Sequence, residues 1–272
     1  MSQVDQYLLG YAQTEQERLQ RQAQILAEET HSLLDQLEIS PGARAVEIGC
    51  GPQGMLDLLS SRVGPSGTVT GVERSEDSVR LAGRFVADHK LSNVEVIHGD
   101  GRSTGLPRRT YDVAAARLVL VNVPDPEQIV AEMVALVRPG GVVALYEADW
   151  LGAICDPPLA AWDRIVSLLG AYSDQNRVDL FVGRKIPRLL REAGLVDVRV
   201  RPVVRLAPKG HVQRMLLPCF IENLRTRLLA RQLSSHTELN DLVGQVTRHV
   251  EDPHTLVMGG LFFQAWGRRP GE

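Results

Sequence analysis

The segment Val46-Glu47-Ile48-Gly49-Cys50-Gly51-Pro52-Gln53-Gly54 has the residue types and spacing best suited to chemistry. It closes a short apolar run and opens a helix-like stretch. Glycines at 49 and 51 let a backbone turn sharply and let a ligand approach closely. Gly49, Gly51 and Gly54 also fit the dinucleotide spacing G-x-G-x-x-G. That spacing alone is a weak signal, because a tight strand–helix turn without a ligand has the same needs. Three acids sharpen it. Glu47 stands two residues before Gly49, where a carboxylate would repel a pyrophosphate and favour a cation. Glu73 ends the second strand, 26 residues after Glu47, where a carboxylate can accept from both hydroxyls of a ribose. Asp100, in Gly99-Asp100-Gly101, follows the third strand and is placed for the exocyclic amine of an adenine.

A sheet must hold these acids in place. Arg44 to Ile48, Thr68 to Glu73, Val94 to His98, Tyr111 to Ala116 and Val142 to Glu147 read as strands. Met55 to Val63, Ser75 to His89 and Pro126 to Val137 read as the helices between them, with Ser75 as a cap and Pro126 in a first turn. Arg138-Pro139-Gly140-Gly141 reads as a turn. Such alternation implies a parallel, doubly wound sheet. The first 40 residues read as helix. Thr14 and Glu17 match a capping box, and Leu19, Ile25, Leu26, Leu33, Leu34 and Leu37 recur at three- and four-residue steps. Farther on, Trp162 to Leu169 and Ile186 to Ala193 read as helices and Asp197 to Val204 as a sixth strand. Residues 207–254 read as two or three helices, and Leu256 to Trp266 as a last strand. The organisation expected is therefore an N-terminal helical cap (1–40), a cofactor-binding core (41–150), a helical insertion (151–183), a core helix and strand (184–206), a helical lid (207–254) and a final core strand (255–272).

One cationic amino acid, one ribose and one adenine together make S-adenosylmethionine. At this point the chain resembles the class I S-adenosylmethionine-dependent methyltransferase family, of the small-molecule and natural-product type. The resemblance rests on VEIGCGPQG (46–54), VTGVERS (69–75), HGDG (98–101), YDVAAARLVLVNVPDP (111–126) and LVRPGGVVALYE (136–147). It implies an α/β fold: a Rossmann-like, doubly wound, mostly parallel seven-stranded sheet with helical N-terminal and lid insertions. It also implies that Gly49, Cys50 and Gly51 pack under the methionine part and that Glu47 lies near the sulfonium or amino group. Glu73 would take the ribose, Arg74 would flank the adenine, and Asp100 and Gly101 would contact it. Arg117 and Leu118 would line the methionine end through their backbone. The chain departs from the family pattern in having Glu rather than the frequent Asp at position 47. Pro52 and Gln53 also replace small loop residues, which leaves the role of Gln53 open.

Methyl transfer asks the protein mainly for orientation and electrostatics, since the cofactor carries the reactive group. A base is needed only where the nucleophile must lose a proton. Ligands of open parallel sheets bind beyond the carboxyl ends of strands, and Glu147, Asp149 and Trp150 follow the fifth strand at that edge. Glu147 or Asp149 is the candidate catalytic residue, to accept a proton or bind an amine or indole N–H. Asn122 is a candidate to orient the acceptor. His211, His236, His249 and His254 share no metal spacing and are expected to be surface or capping residues, so no metal is expected. Tyr7 and Tyr11 precede the long helix and are placed to close over the cofactor. Trp162, Tyr172, Phe181, Met215 and Phe220 are candidates for an apolar pocket under the insertions.

Composition narrows the partners. The chain has 272 residues, 44% hydrophobic and 23% charged, with a formal net charge of −3. That balance offers no general attraction to nucleic acid or anionic membrane. Only 3 of 30 basic residues are lysine, which reads as codon usage of a GC-rich genome. Residues 184–205 hold seven basic and two acidic residues, but no aromatics are interleaved there for base stacking, so a small-molecule acceptor is expected and not nucleic acid. Cys50, Cys155 and Cys219 are far apart, and the opening Ser2, Gln3 and Asp5 are polar, so a reducing cytoplasm is expected. No apolar run approaches the roughly 18 residues of a membrane span. Oligomeric state stays open, with a homodimer among the forms considered. The expected function is methyl transfer to the carbon, nitrogen or oxygen of a small aromatic, indole or quinone-like acceptor in secondary metabolism. The alternatives are a cyclase or pericyclase that keeps the cofactor as a fixed charge, and a non-catalytic regulatory protein that binds it.

Overall fold

The computed structural model describes residues 13–271. Tyr7 and Tyr11 lie outside the described residues. Helices α1 (Gln13–Ile25) and α2 (Ala27–Gln36) precede an alternating core. The core runs β1 (Arg44–Ile48), α3 (Leu56–Val63), β2 (Thr68–Glu73), α4 (Glu76–Asp88), β3 (Val94–His98), β4 (Tyr111–Arg117), α5 (Pro126–Leu136) and β5 (Val137–Asp156). It continues through α6 (Ala160–Gln175), α7 (Ile186–Glu192), β6 (Val196–Leu206), α8 (Leu216–Ala230), α9 (His236–Glu251) and β7 (Leu256–Arg268). The sheet order is β3-β2-β1-β4-β5-β7-β6. The first five strands are parallel, and β7 runs antiparallel between β5 and β6. The expected seven-stranded, mostly parallel, doubly wound sheet is what forms.

Period-two alternation assigns the two faces. In β1, Val46 and Ile48 join the core shared with α5 to α9, while Ala45 joins the core shared with α2 and α3. Glu47 therefore points to the α3 side. Strand order reverses between β1 and β4, and the crevice at such a switch point is where open α/β sheets bind ligands. Ser75 caps α4 by accepting from the Ser78 N–H, as its position predicts.

Three expectations fail. The N-terminal segment is two helices that meet at Leu26, and Thr14 falls within α1 and so is not its cap. The fifth strand does not stop at Glu147. It runs on to Asp156 because β7 pairs with it from Val142 to Asp149 and again from Ala153 to Asp156, with a register shift between. That partner comes from the far end of the chain, so local alternation does not reveal it. The Arg138-Pro139-Gly140-Gly141 segment, expected as a turn, falls within β5, at a register shift against β4. Most of the basic residues of 184–205 have partners. Arg184 pairs with Asp149, Lys185 with Asp179, Arg188 with Glu192 and Arg205 with Glu29, while Arg201 donates to the Ser32 hydroxyl. Among the described residues no helix is long and apolar enough to cross a membrane.

Candidate active site

The turn after β1 is built around two carboxylates. The Gly49 and Cys50 N–H groups both donate to the Val72 carbonyl, at 2.8 and 3.2 Å, which ties the turn to β2. Gly51 has φ +56, a left-handed backbone that disfavours side chains, and an added Cβ there would meet nothing within 4 Å. Its N–H donates to Glu73 Oε2 at 2.9 Å, and the Ser75 N–H donates to Glu73 Oε1 at 2.8 Å. Glu73 is thus fixed at the carboxyl end of β2. Burial pushes its pKa above the ordinary carboxylate value, and the backbone donors oppose that shift.

Glu47 does a different job. It is 1% exposed, and both its oxygens accept from the Met55 N–H, at 3.0 and 2.9 Å, where α3 begins. A Cβ added to Gly54, whose φ is +58, would sit 2.5 Å from Glu47 Oε1. Arg117 completes the cluster. It donates to Thr30 Oγ1 at 2.9 Å and to the Gly54 carbonyl at 2.7 Å, which couples α2 to the glycine turn. Burial lifts the Glu47 pKa to about 7, against the pull of the Arg117 charge.

That shift has a stability consequence. A buried acid with a folded-state pKa of about 7 against 4.5 lets the folded chain hold more protons than the unfolded chain within that window. Stability therefore falls as pH rises through it. Glu147, lifted from 4.5 to about 8, acts in the same direction. The melting temperature of ligand-free protein should decline between about pH 5 and 8, and Glu47→Gln should flatten the decline. Melting curves across that range check this, and equal slopes in both proteins contradict it.

Past β4, Leu118 takes φ +57, its N–H donates to the Tyr146 carbonyl at 2.8 Å, and its carbonyl receives Asn122 Nδ2 at 2.8 Å. Glu147 anchors the residues that follow. It is 0% exposed and accepts the N–H groups of Val119, Leu120 and Val121 at 2.9, 2.8 and 3.3 Å. Asp149, also 0% exposed, is held by two nitrogens of Arg184. Neither carboxylate lines the cavity described below. They were expected at an open strand edge, but β5 continues past both, so each is spent on a structural partner inside the sheet.

The remaining candidates divide. Asp100 turns onto Arg102: Oδ1 accepts the backbone N–H at 2.9 Å and Nε at 3.1 Å, and Oδ2 accepts Nη2 at 2.7 Å. Those hydrogen bonds hold its pKa below the usual value. Glu47, Gly49, Cys50, Gly51, Glu73, Arg74, Asp100, Gly101, Arg117 and Leu118 all line one cavity of about 1250 Å³ at the carboxyl ends of β1, β2 and β4. Asn122, Trp150, Tyr172 and Phe220 line it too. Trp162 instead lies in the core and donates to the Ala153 carbonyl at 3.3 Å, and Phe181 and Met215 also stay off the cavity wall. Burial pushes the Cys50 thiol well above its ordinary pKa, which argues against a nucleophile. His211 caps the turn Val212–Met215, and His249 contacts the Pro157 carbonyl at 2.8 Å. Among the described residues no cluster could hold a metal ion. Sequence reasoning missed Phe262 and Leu180. Phe262 reaches the wall only because β7 inserts between β5 and β6, and no local signal reports that.

Several known proteins are similar to this chain in sequence or fold. Residues 46–145 match a family model described as a methyltransferase domain. An uncharacterised 37.1 kDa protein in transposon TN4556 of Streptomyces fradiae is 34% identical over 171 residues, which cover 63% of this chain and 48% of that protein. The nocamycin O-methyltransferase of Saccharothrix syringae is 31% identical over 185 residues, which cover 61% of this chain and 64% of that enzyme. The chain thus spans about half to two-thirds of the length of these relatives. In fold it is similar to phosphoethanolamine N-methyltransferase 2 of Haemonchus contortus in complex with S-adenosyl-L-methionine, with a TM-score of 0.57 and 18% identity, covering 89% of this chain and 52% of that one.

Proposed function

We propose that this chain transfers a methyl group from S-adenosylmethionine to a small organic acceptor held in the same cavity, a reading supported by the match of residues 46–145 to a methyltransferase domain. The observation that carries the reading is Glu73. Its two oxygens each accept one backbone N–H, from Gly51 and Ser75, and it lines the cavity. Each oxygen keeps capacity for a further bond, which fits the adjacent hydroxyls of a ribose. Gly51 fits as well, since its backbone faces space that a side chain would fill.

Arg74, Asp100 and Gly101 are the residues to hold the adenine, and Asp100 Oδ2, which accepts from Arg102 Nη2, has capacity for its amine. Gly49, Cys50, Arg117 and Leu118 are the wall for the methionine part. Glu47 holds the turn from behind through Met55 and is not a free counter-charge. When bound, the cofactor supplies an electrophilic methyl group on a sulfonium. The chain's own task is to place the acceptor in line with that group and keep water out, and such placement is worth about 7–11 kcal/mol. A cavity of about 1250 Å³ exceeds the ~300–1,000 Å³ usual for one small ligand, so it has room for both partners.

A natural-product setting is supported by the nocamycin enzyme, a relative by sequence. Incubation with methyl-labelled cofactor and a panel of aromatic, indole and quinone-like acceptors should give labelled product and an equal amount of S-adenosylhomocysteine. Intact cofactor binding with no transfer to any acceptor counts against the proposal. Cyclisation of a polyene without S-adenosylhomocysteine formation would replace it with the cyclase reading.

A further inference from the structure

Three buried tyrosines lie among the described residues, and their hydroxyls meet different surroundings. Tyr111 Oη donates to Thr70 Oγ1 at 3.4 Å. Tyr146 Oη is sealed in the core without a partner, off the cavity wall. Tyr172, on α6, is 3% exposed and lines the cavity, and among the described residues nothing donates to or accepts from its hydroxyl. Unlike Tyr146 Oη, it is not closed off by protein atoms. The neighbouring hydroxyl on the helix is taken: Ser173 Oγ donates to the Leu169 carbonyl at 2.7 Å.

The Tyr172 ring is held in place. The Arg231 guanidinium lies 5.5 Å from its centre and is itself fixed by donating to Gln175 Oε1 at 3.3 Å and Asn176 Oδ1 at 3.0 Å. A cation on a ring face draws on the π electrons, which favours the hydroxyl as a donor over an acceptor. The surroundings are apolar: Tyr172 shares one core cluster with Leu169, Phe220 and Leu224, and all four line the cavity. Trp150, packed on that cluster, meets Phe220 edge to face at 5.1 Å. Gly260 of β7 passes behind the Trp150 ring, where an added Cβ would lie 3.5 Å from it.

We propose that Tyr172 is a specificity-determining residue, whose hydroxyl donates to a carbonyl oxygen of an otherwise apolar acceptor. That this ligand is the methyl acceptor rests on the function proposed above. Covering the hydroxyl with hydrocarbon removes its hydration without return, whereas a carbonyl oxygen placed against it restores a hydrogen bond. In a covered, largely apolar site such a bond is stronger than in water. A single polar anchor on an apolar wall gives little affinity by itself but fixes orientation, so it sets which end of the ligand stays at α6.

Two naphthalenes of one shape test this. 2-Acetylnaphthalene carries a carbonyl where 2-ethylnaphthalene has none. Each is titrated against the full chain with excess S-adenosylhomocysteine, and binding is followed by relaxation-edited NMR of the probe. Tyr172→Phe removes the hydroxyl and keeps the ring. It should weaken the ketone about five- to tenfold, the range of one hydrogen bond, and leave the hydrocarbon within about twofold. Its melting temperature should match the parent's, because the hydroxyl has no described protein partner. An unchanged ketone affinity, an equal loss for both probes, a lowered melting temperature, or a parent that binds neither probe overturns the proposal. S-adenosylhomocysteine binding to unloaded protein, measured by calorimetry, tests the other reading separately. A ketone-specific loss in protein that does not bind S-adenosylhomocysteine keeps the Tyr172 site and removes methyl transfer. The converse pattern keeps methyl transfer and removes the Tyr172 site.

Discussion

Glu73→Ala should weaken S-adenosylhomocysteine binding by a factor of about one hundred or more, read by calorimetry. Hydrogen bonds to a charged group contribute about 1.5–3 kcal/mol each. Loss of two, one to each ribose hydroxyl, is about 3–6 kcal/mol, and each 1.4 kcal/mol is a factor of ten in affinity. The substitution also frees the Gly51 and Ser75 N–H groups that Glu73 accepts at 2.9 and 2.8 Å, so the turn keeps only its tie to the second strand through the Val72 carbonyl. Glu73→Gln keeps the shape and one acceptor oxygen, and its affinity should fall between the two. Burial raises the Glu73 pKa, so binding to the parent should weaken as the carboxyl protonates on acidification. Unchanged affinity in the Ala variant, with an unchanged melting temperature, removes the ribose assignment.

Glu147→Ala should lower the melting temperature by about 10 °C, since a chain of this size moves ~2–4 °C per kcal/mol. The side chain accepts three backbone N–H groups in a fully buried place. Each donor left without a partner costs about 1–3 kcal/mol, the Val121 donor least because its bond is the longest at 3.3 Å. The turn it holds carries Leu118, Val119 and Val121, all on the cavity wall, so the KM for cofactor should rise together with the loss of stability. A proton-accepting Glu147 behaves otherwise. Its Gln variant would lose kcat at nearly constant melting temperature and constant KM. Differential scanning calorimetry and steady-state kinetics on both variants separate the two.

These two glutamates show how far the chain could be read before its fold was seen. Glu73 stands where the second strand should end, behind a glycine turn, and there the structure keeps it on the cavity wall with lone pairs to spare. One of its partners, Ser75, is two residues on, and the other, Gly51, lies 22 residues back in the glycine turn that the spacing already marks. Glu147 carries an equally suggestive position at the end of an apolar run, yet its partners are 26 to 28 residues earlier in the chain. Glu47 lies between these cases. It sits at the cavity as the spacing implied, but its oxygens answer Met55 at the start of α3, eight residues on. Asp100 likewise lines the cavity but carries its own arginine with it.

By itself the sequence determined the alternating strands and helices and marked the glycine turn after the first strand, with Glu47, Glu73 and Asp100 as the acids near it. Alternation, glycine turns and caps act over a few residues, so a few residues reveal them. The tertiary structure decided how far β5 extends and which carboxylates are used up as backbone acceptors. Each depends on segments far apart in the chain. A carboxylate or guanidinium takes its role from the charges and donors that folding brings within about 3 Å of it, and no local pattern records them.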